Sequence, residues 1–225
     1  MRLAALYSGG KDSTYAVYVA QQSGHTVTEL VTVTPAEDSM LYQVPNVEWA
    51  PLTAEALGIR HRTVRSGEGG EEELRAMRRG LERTGAEGVV VGAVASDYQF
   101  VRVHQVAEEL GLWVYAPLWR KEALGLLEEY LTAGFTIFVV AVAAEGLGPE
   151  WLGREMDAQA LTDLSRLGET SGVHPAGEGG EFETWCVDGP NFRRRVVVME
   201  AEARWEGNAG TYVVRRAGLE PAQGS

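Results

Sequence analysis

The sequence predicts an α/β fold: a doubly wound parallel sheet followed by a smaller C-terminal α+β domain. Three observations carry that expectation. Apolar runs alternate with helical periodicity through the first half of the chain, the pattern of successive βαβ units. The stretch "GVVVGAV", from Gly88, is apolar throughout, as suits a strand buried on both faces of a parallel sheet. The stretch "LYSGGKDSTYAVY", residues 6–18, runs from an apolar segment through a glycine pair straight into a helical pattern.

Taken in order, Leu3 to Tyr7 reads as a first strand. A helix follows from about Asp12 to Gln22, with Tyr15, Ala16, Val19 and Ala20 on one side. Val27 to Val33 is rich in β-branched residues and stops before Pro35, and a third strand is expected near His61 to Val64. Leu74, Met77 and Leu81 are spaced for one buried helical face over 71–84, with Gly85 as the stop. A helix from about Tyr98 to Leu110 ends at Gly111, and "LWVYAPL" supplies a fifth strand. The character then changes. Leu124, Leu127 and Leu131 mark an amphipathic helix that leads to the strand "FTIFVVAVA". A helix over 157–167 follows, then the loop "GVHPAGEGGEFET" and alternating strands over 194–203 and 211–215. The expected organisation is a first domain over 1–124, a second over 125–218 and a frayed tail over 219–225.

Composition narrows the function classes. The chain has 225 residues and a formal net charge of −12, which argues against a nucleic-acid partner, whose phosphates would need neutralising. The longest apolar run, 136–144, is too short to span a bilayer, and the N-terminus lacks the pattern of a secretory signal. Cys186 is the only cysteine, so no intramolecular disulfide can form and a cytoplasmic setting is expected. Lys11 and Lys121 are the only lysines, which makes the placement of Lys11 in the glycine loop informative.

That loop has the ingredients of a phosphate cradle. A strand turning directly into a helix exposes backbone N–H donors at the positive end of the helix dipole. Gly9 and Gly10 permit close approach, Lys11 adds a mobile cation, and Ser8 and Ser13 add hydroxyls. Asp12 is placed to hold a magnesium ion or to cap the helix. The alternative is a plain strand-to-helix turn. Neither G-x-x-x-x-G-K-[ST] nor G-x-G-x-x-G is matched. In a parallel sheet ligands bind beyond the carboxyl ends of the strands, where this turn, Thr34 and 93–97 all fall.

The Ser8–Ser13 stretch resembles the S-G-G-x-D-S signature of the PP-loop ATP pyrophosphatases, and with it the adenine nucleotide alpha hydrolase (HUP-like) fold. The resemblance implies a loop that holds the pyrophosphate end of ATP, with adenine beside Val33 and Thr34. Three more stretches narrow it: "PAEDSMLYQVPN", "SDYQFVRVHQVAEELGLWVYAPLW" and "GVHPAGEGGEFETWCVDGPNF". Together they are similar to the diphthine–ammonia ligase family, from Met1 to about Val198. Members of that family amidate the carboxylate of diphthine, a modified histidine on translation elongation factor 2, with ATP and ammonia.

The resemblance implies catalytic roles for Lys11, Asp97, Arg102, Glu181 and Glu183, with ATP and Mg2+ as cofactors. It also implies a substrate site at Gly177, Glu178, Glu181, Phe182 and Glu183. The carboxylates would attract the trimethylammonium of diphthine, helped by Phe182 and Trp185. Without the resemblance, the Gly-Glu cluster is a solvated turn and Arg102 a helix-surface ion pair. The pattern departs at Phe100, His104 and Ala107, where the family commonly has arginine, glutamate and cysteine. Other PP-loop ligases acting on tRNA or another carboxylate, and a non-catalytic nucleotide sensor, are the competing readings. A homodimer stays open.

Overall fold

The first half of the chain forms a parallel sheet because its inner strands are largely apolar and buried and its strands are joined by helical crossovers. The computed structural model describes residues 1–34 and 46–221, and the chain divides into two units, Met1–Trp119 and Arg120–Ser225. Most of "PAEDSMLYQVPN" lies outside the described residues.

In the first unit, β1 (Arg2–Leu6), β2 (Thr26–Thr34), β3 (Arg60–Arg65), β4 (Gly88–Val90) and β5 (Trp113–Tyr115) form a five-stranded sheet in the order β3-β2-β1-β4-β5. Every pairing in it is parallel. Its helices are α1 (Lys11–Gln22), α2 (Ala50–Leu57), α3 (Gly70–Glu82) and α4 (Asp97–Leu110). Val31 and Val89 of the sheet pack with Leu74 and Leu81 of α3 and Val103 and Val106 of α4. Gly80 lets α3 approach closely, since a Cβ there would stand 2.5 Å from Val31 Cγ1. The start of α4 is capped by Ser96, whose Oγ accepts from Gln99 N at 3.3 Å, and Gly111 ends it in the left-handed region. The helix α2, absent from the sequence reading, begins with Pro51 in its first turn.

The stretch "GVVVGAV" was expected as one long strand, and only Gly88–Val90 pairs with β1. Val91 N still donates to Tyr115 O at 3.0 Å, and from Gly92 the chain turns against the start of α1.

The second unit holds α5 (Ala123–Thr132), β6 (Thr136–Val142), α6 (Ala158–Ser171), β7 (Phe182–Asp188), β8 (Arg194–Glu206) and β9 (Ala209–Pro221). Its four-stranded sheet runs β7-β6-β9-β8, with all three pairings antiparallel. Glu122 and Asp157 cap α5 and α6 by accepting from first-turn amides. Two expectations are corrected here. Residues 219–221 are not the start of a frayed tail: Leu219, Glu220 and Pro221 complete β9 opposite Val196, Arg195 and Arg194. Phe182 and Glu183 are not in a loop but open β7, paired with Val142 and Ala141. Arg194 and Arg195 lie on β8, an edge strand, and Arg195 is paired with Glu220 at 2.7 Å. Cys186 is fully buried.

Candidate functional site

The order β3-β2-β1-β4-β5 reverses direction between β1 and β4, and open parallel sheets place their ligand crevice beyond the carboxyl ends of such strands. The chain leaves β1 at that point as Tyr7-Ser8-Gly9-Gly10 and enters α1 at Lys11. Gly9 has φ +84°, which L side chains rarely adopt. The N-cap is Gly10, which has no side chain with which to cap the helix, whereas α4, α5 and α6 start on capping side chains. An anion is the partner that this helix start suits.

Hydroxyls brace the turn from inside. Ser8 Oγ and Ser13 Oγ are 3.1 Å apart, Ser13 Oγ donates to Gly10 O at 3.1 Å, and Gly10 N donates to Ser8 Oγ at 3.3 Å. Lys11 departs from expectation: it is 4% exposed, with Nζ 2.8 Å from Asp12 Oδ2. It is a fixed, part-neutralised charge in the first turn rather than a mobile cation. Asp12 does not cap the helix; its carboxylate is drawn to Lys11. Among the described residues no group of three or more His, Cys, Asp or Glu converges as a metal cage. A magnesium ion bound chiefly by phosphate oxygens and waters needs only one or two carboxylates, so Asp12 fits that simpler mode.

Gly92, just past β4, packs on this turn backbone to backbone: a Cβ there would lie 2.7 Å from Asp12 C and Ser13 N. Thr34 and Val33 end β2 at the same sheet edge, half-buried, and Asp97 opens α4. Arg102 lies on α4. Its guanidinium donates to the Gly70 carbonyl, lies 3.6 Å from Glu73 and covers the Tyr98 ring at 4.7 Å. It ties α4 to the first turn of α3, with its side chain only 16% exposed. Phe100 stacks on Trp119 at 3.9 Å between centroids, Ala107 is buried, and His104 is exposed with Nδ1 2.9 Å from Phe100 O.

In the second unit, Glu181 organises its own loop. Its carboxylate accepts from His174 N at 3.1 Å and Gly179 N at 2.8 Å, closing 174–181 into turns that use Gly177 at φ +72° and Gly180 at φ +81°. Glu178 is half-buried and Glu183 exposed. The rings of Phe182 and Trp185 are only 3% and 2% exposed, so the cation contact expected of them is lost to core packing.

The sequence reading missed a polar chain beneath the glycine turn. Thr32 Oγ1 donates to Tyr7 O at 2.6 Å and lies 2.8 Å from His61 Nε2. Burial holds the His61 pKa below its ordinary value, with Glu29 pulling weakly the other way. Threonine in a β-branched run signals only strand, so no local pattern could have singled Thr32 out.

A parallel sheet whose order reverses at a glycine-led helix start defines a doubly wound α/β unit, carried here with a separate antiparallel unit. The diphthamide synthase N-terminal domain model matches residues 1–114, and the diphthamide synthase C-terminal domain model matches 122–219. A diphthine–ammonia ligase of Bos taurus is 37% identical, covering 90% of this chain and 84% of its own. One from Danio rerio is 34% identical, covering 90% and 88%. A solved chain from Methanocaldococcus jannaschii, titled a predicted subunit of tRNA methyltransferase, is 17% identical with TM-score 0.43, over 81% of this chain and 95% of that one. The chain belongs to the diphthamide synthase family.

Proposed function

We propose that this protein is an ATP-dependent diphthine–ammonia ligase that amidates the diphthine carboxylate of translation elongation factor 2. Family membership and the names of the relatives support the reaction. The observation that carries the chemistry is the uncapped start of α1 at the point where the sheet order reverses.

The carboxylate oxygen attacks the α-phosphorus of ATP, and the bond to the pyrophosphate leaving group breaks. Ammonia then attacks the acyl carbon, loses a proton and expels AMP. The Gly9–Gly10 turn and the first amides of α1 would receive the departing pyrophosphate, an electrostatic role with donors already in place. Lys11, held in the first turn, would add positive charge to the same anion. Asp12 would hold a magnesium ion, which neutralises phosphate charge. Val33 and Thr34 would flank adenine, and Asp97 would lie beside the reacting groups. The first unit, Met1–Trp119, is assigned to ATP. The second unit, from Arg120, is assigned to the protein substrate, with Glu178 and Glu183 as candidate partners of its trimethylammonium group and Glu181 shaping the loop.

Incubation with diphthine-bearing elongation factor 2, ATP and ammonium, reading AMP and the mass of the factor, tests the reading. Lys11→Met should abolish AMP formation with the circular-dichroism spectrum unchanged. A Lys11→Met chain that still releases AMP would sink the mechanism, and an unchanged factor mass with AMP made would overturn the substrate.

A further inference from the structure

Tyr7 is the last residue before the phosphate loop, and it is held from several directions. Its N–H donates to Val31 O at 2.9 Å, its carbonyl accepts from Thr32 Oγ1 at 2.6 Å, and its hydroxyl is 3.2 Å from Thr14 Oγ1 in the first turn of α1. Tyr7, Thr14 and Thr32 are 3%, 0% and 2% exposed. A hydroxyl buried that deeply is costly unless bonded, and Thr32 stands between Val31 and Val33, where valine would serve the strand equally well. The single proton of the Thr32 hydroxyl goes to Tyr7 O, so His61 Nε2 donates to its lone pair and fixes the rotamer.

The peptide that carries the Tyr7 carbonyl also carries the Ser8 N–H. That N–H donates to Ser13 Oγ at 3.3 Å, so a tilt of the peptide passes into the serine brace that holds the turn against the start of α1. We infer that Thr32, oriented by His61, is a positioning residue for the phosphate loop: it sets the Tyr7 peptide, and through the Ser8–Ser13 brace it sets how the turn presents the first amides of α1 to bound pyrophosphate. The inference rests on the ATP-binding reading above and goes beyond it, since neither Thr32 nor His61 touches the nucleotide in this account.

The test is calorimetric titration of the full chain with ATP, well below the melting midpoint, for wild type, Thr32→Val, Thr32→Ser and His61→Phe. Thr32→Val should weaken ATP binding at least about fivefold, the value of one ordinary hydrogen bond. Thr32→Ser, which keeps the hydroxyl, should return to within about twofold of wild type. A purely structural threonine would lower the melting midpoint and leave the ATP affinity of the folded protein unchanged, and that result overturns the inference. If Thr32→Val does not fold, His61→Phe decides: weakened ATP binding supports the positioning chain, and wild-type binding overturns it. A wild-type chain that binds no ATP overturns the nucleotide reading itself, and this inference with it.

Discussion

Gly92→Ala is the most direct probe of how the sheet sets the phosphate turn. A Cβ at residue 92 would stand 2.7 Å from Asp12 C and Ser13 N and 2.8 Å from Asp12 O, whereas ordinary contact begins near 3.4 Å. All of these are backbone atoms of the first turn of α1, so no rotamer change relieves the overlap. The end of β4 and the start of α1 must separate by about 0.7 Å, which moves the amides that face the phosphate. Overpacking of this kind costs about 1–3 kcal/mol, and sub-ångström displacement of positioned groups costs up to about a hundredfold in rate. The expected result is a melting midpoint lowered by several degrees and AMP formation lowered at least about tenfold. Differential scanning calorimetry and an AMP-release assay read the two quantities. A Gly92→Ala protein with wild-type melting and wild-type AMP release would refute the reasoning, because the close approach would then be of no consequence.

Further expectations concern other parts of the structure. The lowered pKa of His61 means that the unfolded chain takes up its proton first as pH falls, so stability should decline on acidification through the range just below pH 6.5. Melting midpoints at several pH values should show that decline in wild type and less of it in His61→Phe; equal slopes would remove His61 from the account. Glu181→Ala removes the acceptor for His174 N and Gly179 N, so limited proteolysis should nick residues 174–181 faster than in wild type. Unchanged nicking would show that the glycine turns hold the loop without the carboxylate.

The strand-to-helix turn was legible because everything that makes it lies within a few residues: the apolar run, the glycine pair, the helical periodicity that follows. The same locality made Gly111 readable as a helix stop. Locality also misled. Glu181 reads as one of several solvent-facing acids, yet its two backbone donors lie two and seven residues upstream and turn it into a brace. Phe182 and Trp185 read as helpers in attracting a trimethylammonium group, yet pairing of β7 with β6 carries them into the core.

Within this chain the sequence alone determined the alternation of strands and helices in the first half apart from α2, the phosphate-loop motif and the family, since periodicity and short motifs are local properties. Only the tertiary structure decided what surrounds the motif. The Gly92 contact joins residues eighty positions apart, and the Thr32–Tyr7 bond spans 25. Both depend on which strands lie side by side and in what register, and that is set by burial of whole faces rather than by any one residue's preference.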